Sequence, residues 1–356
     1  MQKGFRMGKI VKKQPHKKLF ENIKALLHEA RSAVARNINT AMVMTYFEIG
    51  RMIVVDEQQG KRRAGYAEET LKNLSLDLTK EFGKGFSERN LRAFRQFYLT
   101  YRKRAIWQSP IAKSKTKVLQ TSKGEMPFRL SWTHYLLLMR ITNEEERRFY
   151  EIEAAAQNWS IRELERQFNS SLYERLVLSR NKKKVADLSK KGHILSTPQD
   201  AIKEPYVLEF LGLKEESSYS ETDLETAIIN KIEHFLLELG KGFLFVGRQK
   251  RFTFDEEHFF VDLVFYNRLL RCFVLVDLKI GKLKHQDIGQ MQMYVNYYDR
   301  LMKSPDENST IGIILCKEAR KAVVEFTLPK DNEQIFARKY LLYLPSKEEL
   351  KKQLEG

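Results

Sequence analysis

Hydrophobic residues in the first half of the chain recur three or four positions apart. This spacing runs from Leu19 to Val55 and again through residues 65–82. It places apolar side chains on one face of an α-helix. Two further helix starts are marked by Ser87 and by the capping box Ser160-Ile-Arg-Glu163, whose helix is expected to reach residue 178. The pattern therefore predicts an α-helical first half.

The pattern changes in the second half, where short β-rich runs replace the helical spacing. A helix predicted over 222–239 precedes them, and another at about 286–303 interrupts them. Strands are predicted at 243–254, 259–266, 272–279, 310–316, 323–326 and 340–344. A helix, three strands, a second helix and more strands indicate one mixed α/β domain.

The two patterns meet in a segment rich in lysine, glycine and proline. Residues 181–205 contain Asn181-Lys-Lys-Lys184, Gly192, Pro198 and Pro205, which is typical of a linker. We therefore predict an α-helical N-terminal domain over 1–180, a linker over 181–205, an α/β C-terminal domain with a mixed sheet over 206–346, and a tail over 347–356. A chain of 356 residues is long enough for two such domains.

Basic residues are concentrated in the first half of the chain. Residues 1–200 contain 40 Lys and Arg against 21 Asp and Glu, whereas the whole chain has a net charge of +17. A field of one sign attracts polyanions such as nucleic acid. The segment 89–123 is therefore a candidate nucleic-acid surface, because it has no acidic residue and ten basic ones, including Arg89, Arg92, Arg95, Arg102, Lys103 and Arg104.

Two alternatives apply to this basic helical region. Short helices with basic residues are compatible with a helix-turn-helix-like reader of DNA. A plain helical interaction domain with a solvated basic face has the same spacing, so the pattern does not separate the two.

Composition limits the cellular location that we expect for the protein. No apolar run approaches the ~20 residues that cross a bilayer, and the basic N-terminus lacks the apolar stretch of a secretory signal. The two cysteines, Cys272 and Cys316, provide neither a disulfide framework nor a cysteine zinc site. We therefore expect a cytoplasmic protein with no membrane partner.

The most informative feature is a set of charged residues inside two apolar strands. The first strand contains Asp262, and the second contains Asp277 and Lys279. Only residues 267–271 separate them, so an antiparallel hairpin is expected. A turn centred near residues 268–269 would place position 262 opposite position 275, with Asp277 as the diagonal neighbour of Asp262. Alternation along the strand puts Lys279 on the same face as Asp277.

Charged side chains inside apolar strands are costly to bury unless something neutralises them. An ion pair explains Asp277 with Lys279 but leaves Asp262 without a partner. A divalent cation satisfies both carboxylates, and Mg²⁺ prefers such hard oxygen ligands. The pattern therefore favours a Mg²⁺ site, with Mn²⁺ as the second candidate ion, over a structural ion pair.

The spacing of Asp262 and Asp277-Leu-Lys279 resembles the PD-(D/E)XK nuclease motif. Gln290-Met-Gln-Met-Tyr294 on the following helix is similar to the QxxxY extension of some branches. The segment 243–291 looks like the nuclease domain of YhcG-type bacterial proteins, and the basic helical part resembles theirs more loosely. The sequence departs from the motif at two points, because Val261 replaces the usual proline and the second acid is aspartate instead of the commoner glutamate.

The resemblance implies a restriction-endonuclease-like fold and metal-dependent phosphodiester hydrolysis in DNA. Asp262, Asp277 and the backbone carbonyl of Leu278 would hold the cation. Lys279 would orient or activate the attacking water and stabilise negative charge.

The resemblance also implies supporting residues on two helices. A glutamate of the helix before the first strand would complete the metal shell, and Glu225 is preferred over Glu233 and Glu238 because it lies beside the apolar stripe. Gln290 would position substrate or water, with Tyr294 supporting it, since residues four apart share a helix face.

Two functions stay open on these grounds. The first is a DNA nuclease, for which Arg248, Lys250 and Lys282 are candidate phosphate contacts. The second is a non-catalytic nucleic-acid-binding or adaptor protein that keeps the nuclease fold as a scaffold. DNA is the expected partner, RNA is the alternative polymer, and a homo-oligomer is compatible with either function.

Overall fold

The chain forms two compact units, Met1–Arg140 and Ile141–Gly356. The computed structural model describes residues 15–59, 64–108, 128–179, 182–214, 218–254 and 256–355. Residues 109–123 of the candidate nucleic-acid segment and residues 1–14 of the basic N-terminus lie outside these residues.

The first unit is helical, as the spacing of its apolar residues predicts. Its described part contains α1 (Pro15–Gln59), α2 (Ala64–Phe82), α3 (Glu88–Gln108) and α4 (Trp132–Leu138). Aromatic rings dominate its core, where Phe97 lies 5.0 Å from both Phe128 and Tyr135 between ring centroids. Gly50 lets α1 approach α3 closely, since a Cβ there would meet the carbonyl of Phe94.

One stretch of α1, Asn37–Gln58, is long and apolar enough to cross a membrane by length and composition. The expectation that no segment of the sequence approaches such a span is therefore wrong by this criterion. Val43, Phe47 and Val54 of this stretch are buried in the first unit. A single helix of this kind is weak evidence for a membrane segment, because core helices of soluble proteins meet the same criterion.

The second unit combines helices with a six-stranded mixed sheet. Its described helices are α5 (Glu144–Gln157), α6 (Ile161–Asn169), α7 (Leu172–Leu178), α8 (Lys182–Lys191), α9 (Glu221–Asn230), α10 (Ile232–Leu239), α11 (His285–Tyr297), α12 (Lys321–Thr327) and α13 (Lys347–Glu355). Its strands are β1 (Tyr206–Val207), β2 (Phe243–Phe254), β3 (Glu257–Asn267), β4 (Cys272–Lys282), β5 (Ile311–Glu318) and β6 (Ile335–Leu341).

The sheet runs in the order β1-β6-β5-β4-β3-β2. Strands β1, β6, β5 and β4 are parallel, and β3 and β2 are antiparallel additions. Both faces are covered. Val274, Val276 and Leu278 of β4 lie in the core beneath α9 and α10, whereas Leu275 lies in the core beneath α11. Burial on both sides explains why these strands read as continuous apolar runs.

Three predicted elements of the second unit have different boundaries. The helix over 160–178 breaks into α6 and α7 at Ser171, whose φ of 52° is left-handed. The helix over 222–239 breaks at Lys231, and the last strand is Ile335–Leu341 instead of 340–344. The capping box of Ser160 with Glu163 is present.

The predicted strand over 323–326 is wrong, because this segment is α12. Val323 and Val324 both pack against the core beneath α11. Adjacent residues of a strand would point to opposite faces, so this packing needs a helix. The β-propensity of the segment was a weaker signal than its burial pattern.

The predicted linker and tail are ordered parts of the second unit. Residues 181–205 include α8 and a short 3₁₀ helix, Pro198–Ala201, and they bury Leu188 and Ile202. The predicted tail forms α13, whose Leu350 is buried. The compact units are divided after Arg140, some 40 residues before the predicted linker.

A buried ion cluster holds the α6–α8 region onto α10. Glu238 is fully buried and pairs with Arg175, while Lys203 donates to its backbone carbonyl. Its Oε1 also accepts from the backbone N–H of Val207 at 3.0 Å. Burial alone would raise the pKa of Glu238, but Arg175, Lys203 and Arg166 outweigh burial and lower it to about 2.

Candidate active site

The site lies where β3 and β4 carry their acidic residues. Leu263 pairs with Val276, and Val264 pairs with Leu275. Continuing this register by one step places Asp262 directly opposite Asp277. The predicted pairing of positions 262 and 275 is therefore wrong by two residues, because the turn is centred between residues 269 and 270. The two aspartates are direct neighbours instead of diagonal ones.

Both carboxylate oxygens of Asp262 accept hydrogen bonds. Oδ2 accepts from the backbone N–H of Leu278 at 2.8 Å. Oδ1 accepts from the side-chain amide of Gln249 at 3.1 Å. The carboxylate is thus fixed between β2 and β4, beside Asp277, while remaining only partly buried.

Asp277 is buried and incompletely satisfied. Its Oδ2 lies 2.9 Å from Nζ of Lys279 but accepts no hydrogen bond of ordinary geometry. Burial, together with the adjacent Asp262, raises the pKa of the Asp277 carboxyl from its ordinary 3.8 to about 7, against the opposing effect of Lys279. An additional positive charge nearby would therefore stabilise the ionised form of Asp277.

Lys279 is held in its charged form. Burial alone would lower its pKa, but the carboxylates of Asp277, Glu221 and Asp262 outweigh burial and raise it above its ordinary value. Nζ lies 3.6 Å from Oε2 of Glu221, at the start of α9. In this state Lys279 can donate a hydrogen bond, but it cannot accept a proton.

The three candidate glutamates occupy different environments. Glu225 is buried, and its Oε2 accepts from the Gln249 amide at 2.5 Å. Because the same amide donates to Asp262, Glu225 is connected to the site through one side chain. Glu233 is exposed, and Glu238 belongs to the ion cluster on α10. Glu225 is the glutamate that the structure brings to the site.

Helix α11 contributes a second pair of residues. The amide of Gln290 donates to the hydroxyl of Tyr294 at 2.5 Å, as their spacing of four predicts. Burial and, to a smaller extent, the negative charge of Asp277 raise the pKa of Tyr294 to about 12. The electrostatic effect of Asp277 places Tyr294 near the site, and Gln290 is hydrogen-bonded to Tyr294.

The three candidate phosphate contacts in the second unit are all exposed, and one of them forms an ion pair. Arg248 and Lys250 are exposed on β2, on either side of Gln249. Lys282 is exposed but forms a 3.1 Å ion pair with Glu318.

The basic residues of α3 are partly neutralised within the first unit. Arg89, Arg102 and Lys103 are exposed. Arg92 pairs with Glu88, and Arg95 pairs with Glu57 at 2.7 Å. The side chain of Arg104 lies outside the described residues.

The oxygen-rich donor set fits a hard divalent cation. Asp262 and Asp277 face each other, and one buried oxygen of Asp277 has no hydrogen bond. Among the described residues, no three His, Cys, Asp or Glu side chains converge as a complete metal cage. The two aspartates are therefore the residues that would hold a cation directly, Glu225 is linked to them through Gln249, and the Leu278 carbonyl remains a predicted ligand. Mg²⁺ commonly binds through one or two carboxylates and retained waters.

Two site residues were missed in the sequence, namely Gln249 and Glu221. A signal for Gln249 exists, because a β2–β3 hairpin in which Phe254 pairs with Glu257 places position 249 opposite position 262. Glu221 carries no such signal, since its approach to Lys279 depends on how α9 packs against the sheet.

Comparison with known proteins agrees with this geometry. Residues 199–355 match the YhcG PDDEXK nuclease domain, and residues 22–175 match the DUF1016 N-terminal domain. The "Putative nuclease YhcG" of Escherichia coli (strain K12) is 39% identical over 352 residues, covering 95% of this chain and 93% of its own length. These boundaries divide the chain near residues 175–199, later than the division into compact units.

A crystal structure of a repair endonuclease from Pyrococcus abyssi is also similar. The match is 18% identical, covers 37% of this chain and 50% of that chain, and has a TM-score of 0.25. A likeness at this level carries no argument about the site.

The family matches together cover most of both units, and the mixed sheet, the facing aspartates and the neighbouring lysine lie within the matched nuclease domain. The predicted helical part and restriction-endonuclease-like second part are thereby confirmed. The chain belongs to the YhcG family, and it joins a match to the DUF1016 N-terminal domain with a match to the YhcG PDDEXK nuclease domain.

Proposed function

We propose that the protein is a divalent-cation-dependent nuclease that hydrolyses phosphodiester bonds in DNA. The observation that carries this proposal is the meeting of Asp262, Asp277 and Lys279 at one point of the β3–β4 hairpin, with Asp277 held short of one positive partner. Mg²⁺ is the proposed ion and Mn²⁺ its substitute.

The chain's own residues supply three actions. Asp262 and Asp277 provide the negative oxygens that attract a cation and fix its place between two strands. Lys279, which stays protonated, donates to a non-bridging phosphate oxygen and stabilises the charge that develops there. Gln290, held by Tyr294, presents its amide to substrate or water.

A bound divalent cation would lower the pKa of a coordinated water and offset the charge of the scissile phosphate. The protonated state of Lys279 argues against its use as the general base in the cation-free protein. We therefore assign Lys279 to charge stabilisation and to orientation of the phosphate.

Exposed basic residues supply binding energy for the polymer. Arg248 and Lys250 lie on β2, and Arg89, Arg102 and Lys103 lie on α3. Contacts of this kind bind the phosphate backbone without reading sequence, so they suit DNA and RNA equally. DNA is proposed as the substrate because of the nuclease family.

The experiment is cleavage of supercoiled plasmid, linear duplex, single-stranded DNA and a matched RNA with Mg²⁺ or Mn²⁺. Wild type should cleave DNA only when the cation is present. Asp277→Ala and Lys279→Ala should lose cleavage while keeping binding to DNA. Cleavage in EDTA, or full activity in both variants, would contradict the proposal. Cleavage of the RNA alone would move the substrate from DNA to RNA.

A non-catalytic nucleic-acid binder is the second candidate function. It is favoured by the excess of basic residues in 1–200, which could bind nucleic acid without chemistry. Under this function the wild type and Asp277→Ala would bind DNA with equal affinity, and neither would cleave it. Binding would fall steeply with salt in both.

A further inference from the structure

Gln249 has an unusual backbone conformation for a residue inside a strand. Its φ is +45°, in the left-handed region that side chains other than glycine and asparagine rarely adopt. Arg248 pairs with Leu263 and Lys250 pairs with Val261, so continuing this register places Gln249 directly opposite Asp262. Gln249 itself is skipped in the β2–β3 pairing, which is also interrupted by a bulge between Phe245 and Gly247.

Two other left-handed residues beside strands of the same sheet differ from Gln249 in their position. Glu256 has a φ of 71° and Arg271 a φ of 51°, but each lies in the turn between two strands. Turns require such conformations, whereas the interior of a strand does not. A strained residue outside a turn persists only when its surroundings hold it, and such residues concentrate at functional sites.

The side chain of Gln249 explains what holds it. Its amide nitrogen donates to Glu225 Oε2 at 2.5 Å and to Asp262 Oδ1 at 3.1 Å. One neutral group thus joins two carboxylates that would otherwise repel each other. One carboxylate comes from α9 and the other from β3, so the amide also sets the spacing between a helix and a strand.

A row of side chains across three strands results. Gln249 on β2 faces Asp262 on β3, and Asp262 faces Asp277 on β4. Asp262 is held on the other side by the backbone N–H of Leu278. Without the amide, Oδ1 of Asp262 loses its donor and Glu225 loses its connection to the site.

We infer that Gln249 is a positioning residue, which holds Glu225 and Asp262 in the arrangement that receives the cation. This inference rests on the proposed function, since it assigns a task within the same site. Residues that orient a metal's ligands commonly change cation affinity by ~10–100-fold when they are removed. A residue needed only for the fold would change stability and leave cation affinity intact.

The test compares variants of the full-length protein by calorimetric Mn²⁺ titration and by Tm with and without Mn²⁺. Gln249→Ala removes both hydrogen bonds, and Gln249→Asn shortens the side chain so that it cannot span both carboxylates. Each should bind Mn²⁺ ~10–100-fold more weakly than wild type.

A glycine variant distinguishes the strain in the Gln249 backbone from the positioning role of its side chain. Gln249→Gly relieves the left-handed backbone, so its Tm should equal or exceed that of Gln249→Ala, yet its affinity for Mn²⁺ should be equally weak. Glu256→Gly is the matched control, because it relieves a left-handed residue in the β2–β3 turn. It should keep wild-type affinity for Mn²⁺.

Gln249→Glu tests the same role through a loss of Tm that the cation should reverse. A third carboxylate beside Glu225 and Asp262 should lower the Tm of the cation-free protein, and saturating Mn²⁺ should restore it. A residue with only a structural role would show the same loss of Tm with and without the cation.

The outcomes distinguish the role of Gln249 from the proposed nuclease function. Wild-type affinity for Mn²⁺ in Gln249→Ala, Gln249→Asn and Gln249→Gly would overturn the role of Gln249 and leave the proposed nuclease intact. Absence of Mn²⁺ binding by the wild type would overturn the proposed function, and the assignment of Gln249 with it.

Discussion

Two of the carboxylates that the second unit buries, Asp277 and Glu238, have opposite electrostatic environments. Glu238 meets Arg175, Arg166, Lys203 and a backbone N–H, and its pKa is lowered to about 2. Asp277 has one lysine beside it and another aspartate opposite, and burial raises its pKa to about 7. The chain itself supplies enough positive partners to neutralise Glu238, whereas it supplies too few for Asp277.

This difference separates a structural charge from a functional one. Burial alone does not mark a site, because both carboxylates are buried. The useful criterion is whether the chain itself supplies all the partners of the charged group. Of the two, Asp277 fails this criterion, and it lies within the matched nuclease domain beside Asp262 and Lys279.

The largest expected effect is on stability, from Glu238→Gln. It leaves Arg175 and Lys203 buried without their countercharge, which should cost ~3–5 kcal/mol of unfolding free energy. The fall in Tm should be ~2–4 °C for each kcal/mol. Glu233→Gln, an exposed position on the same helix, is the control and should change little.

The pH dependence of this effect has a definite sign. The folded-state pKa of Glu238 is lowered from its ordinary 4.5 to about 2, so its stabilisation is complete above pH 4.5. It is lost as the pH falls toward 2. The difference between wild type and Glu238→Gln should therefore shrink in acid, and a difference that grows below pH 4.5 would contradict the ion cluster.

The next largest effect is on catalysis, from Lys279→Met. The variant keeps most of the length of the side chain but loses the donor, so kcat should fall ~10²–10³-fold. Single-turnover cleavage and DNA binding by fluorescence anisotropy measure the two steps separately. Equal loss of binding and cleavage would mean that Lys279 holds substrate without stabilising the transition state.

Asp277→Asn should raise the Tm of the cation-free protein while removing cation binding. The folded-state pKa of about 7 exceeds the ordinary 3.8, so ionisation of Asp277 destabilises the fold as the pH rises between these values. The gain in Tm should be largest above pH 7 and should disappear near pH 4. Asp306→Asn, at an exposed position, is the control.

The smallest effect is expected from the exposed charges of the first unit. Replacement of Arg89, Arg102 and Lys103 by alanine should weaken DNA binding uniformly across sequences. The slope of log affinity against log salt should become shallower by ~0.9 for each phosphate that the protein no longer neutralises. Arg95→Ala is the matched control, because Arg95 already pairs with Glu57 and should affect stability more than affinity. An unchanged slope in the triple variant would remove α3 from the DNA surface.

The sequence predicted the site because charge inside an apolar strand is a strong local signal. Asp262, Asp277 and Lys279 needed only alternation and a short hairpin to be placed together. The register was wrong by two residues because the turn could not be centred from composition. Glu225 could be preferred over Glu238 only by its place beside the apolar stripe, since the partners of Glu238 come from residues 63 and 35 positions away.

Tertiary packing accounts for two further differences between the local sequence pattern and the structure. Residues 181–205 have a linker composition, yet Leu188 and Ile202 are buried and Lys203 bonds to α10. Residues 323–326 have strand propensity, yet they form a helix against the core beneath α11. In both segments, interactions distant in sequence outweighed the local preference.

The central claim is that Asp262 and Asp277 are incomplete without a divalent cation. Calorimetric titration of wild type and Asp262→Asn with Mg²⁺ or Mn²⁺, in buffers of different ionisation enthalpy from pH 6 to pH 8, tests it most directly. The account predicts saturable binding by wild type, tighter at higher pH and with proton release that diminishes above pH 7, and severe loss in Asp262→Asn. Equal binding by both proteins, or no binding by either, would contradict it.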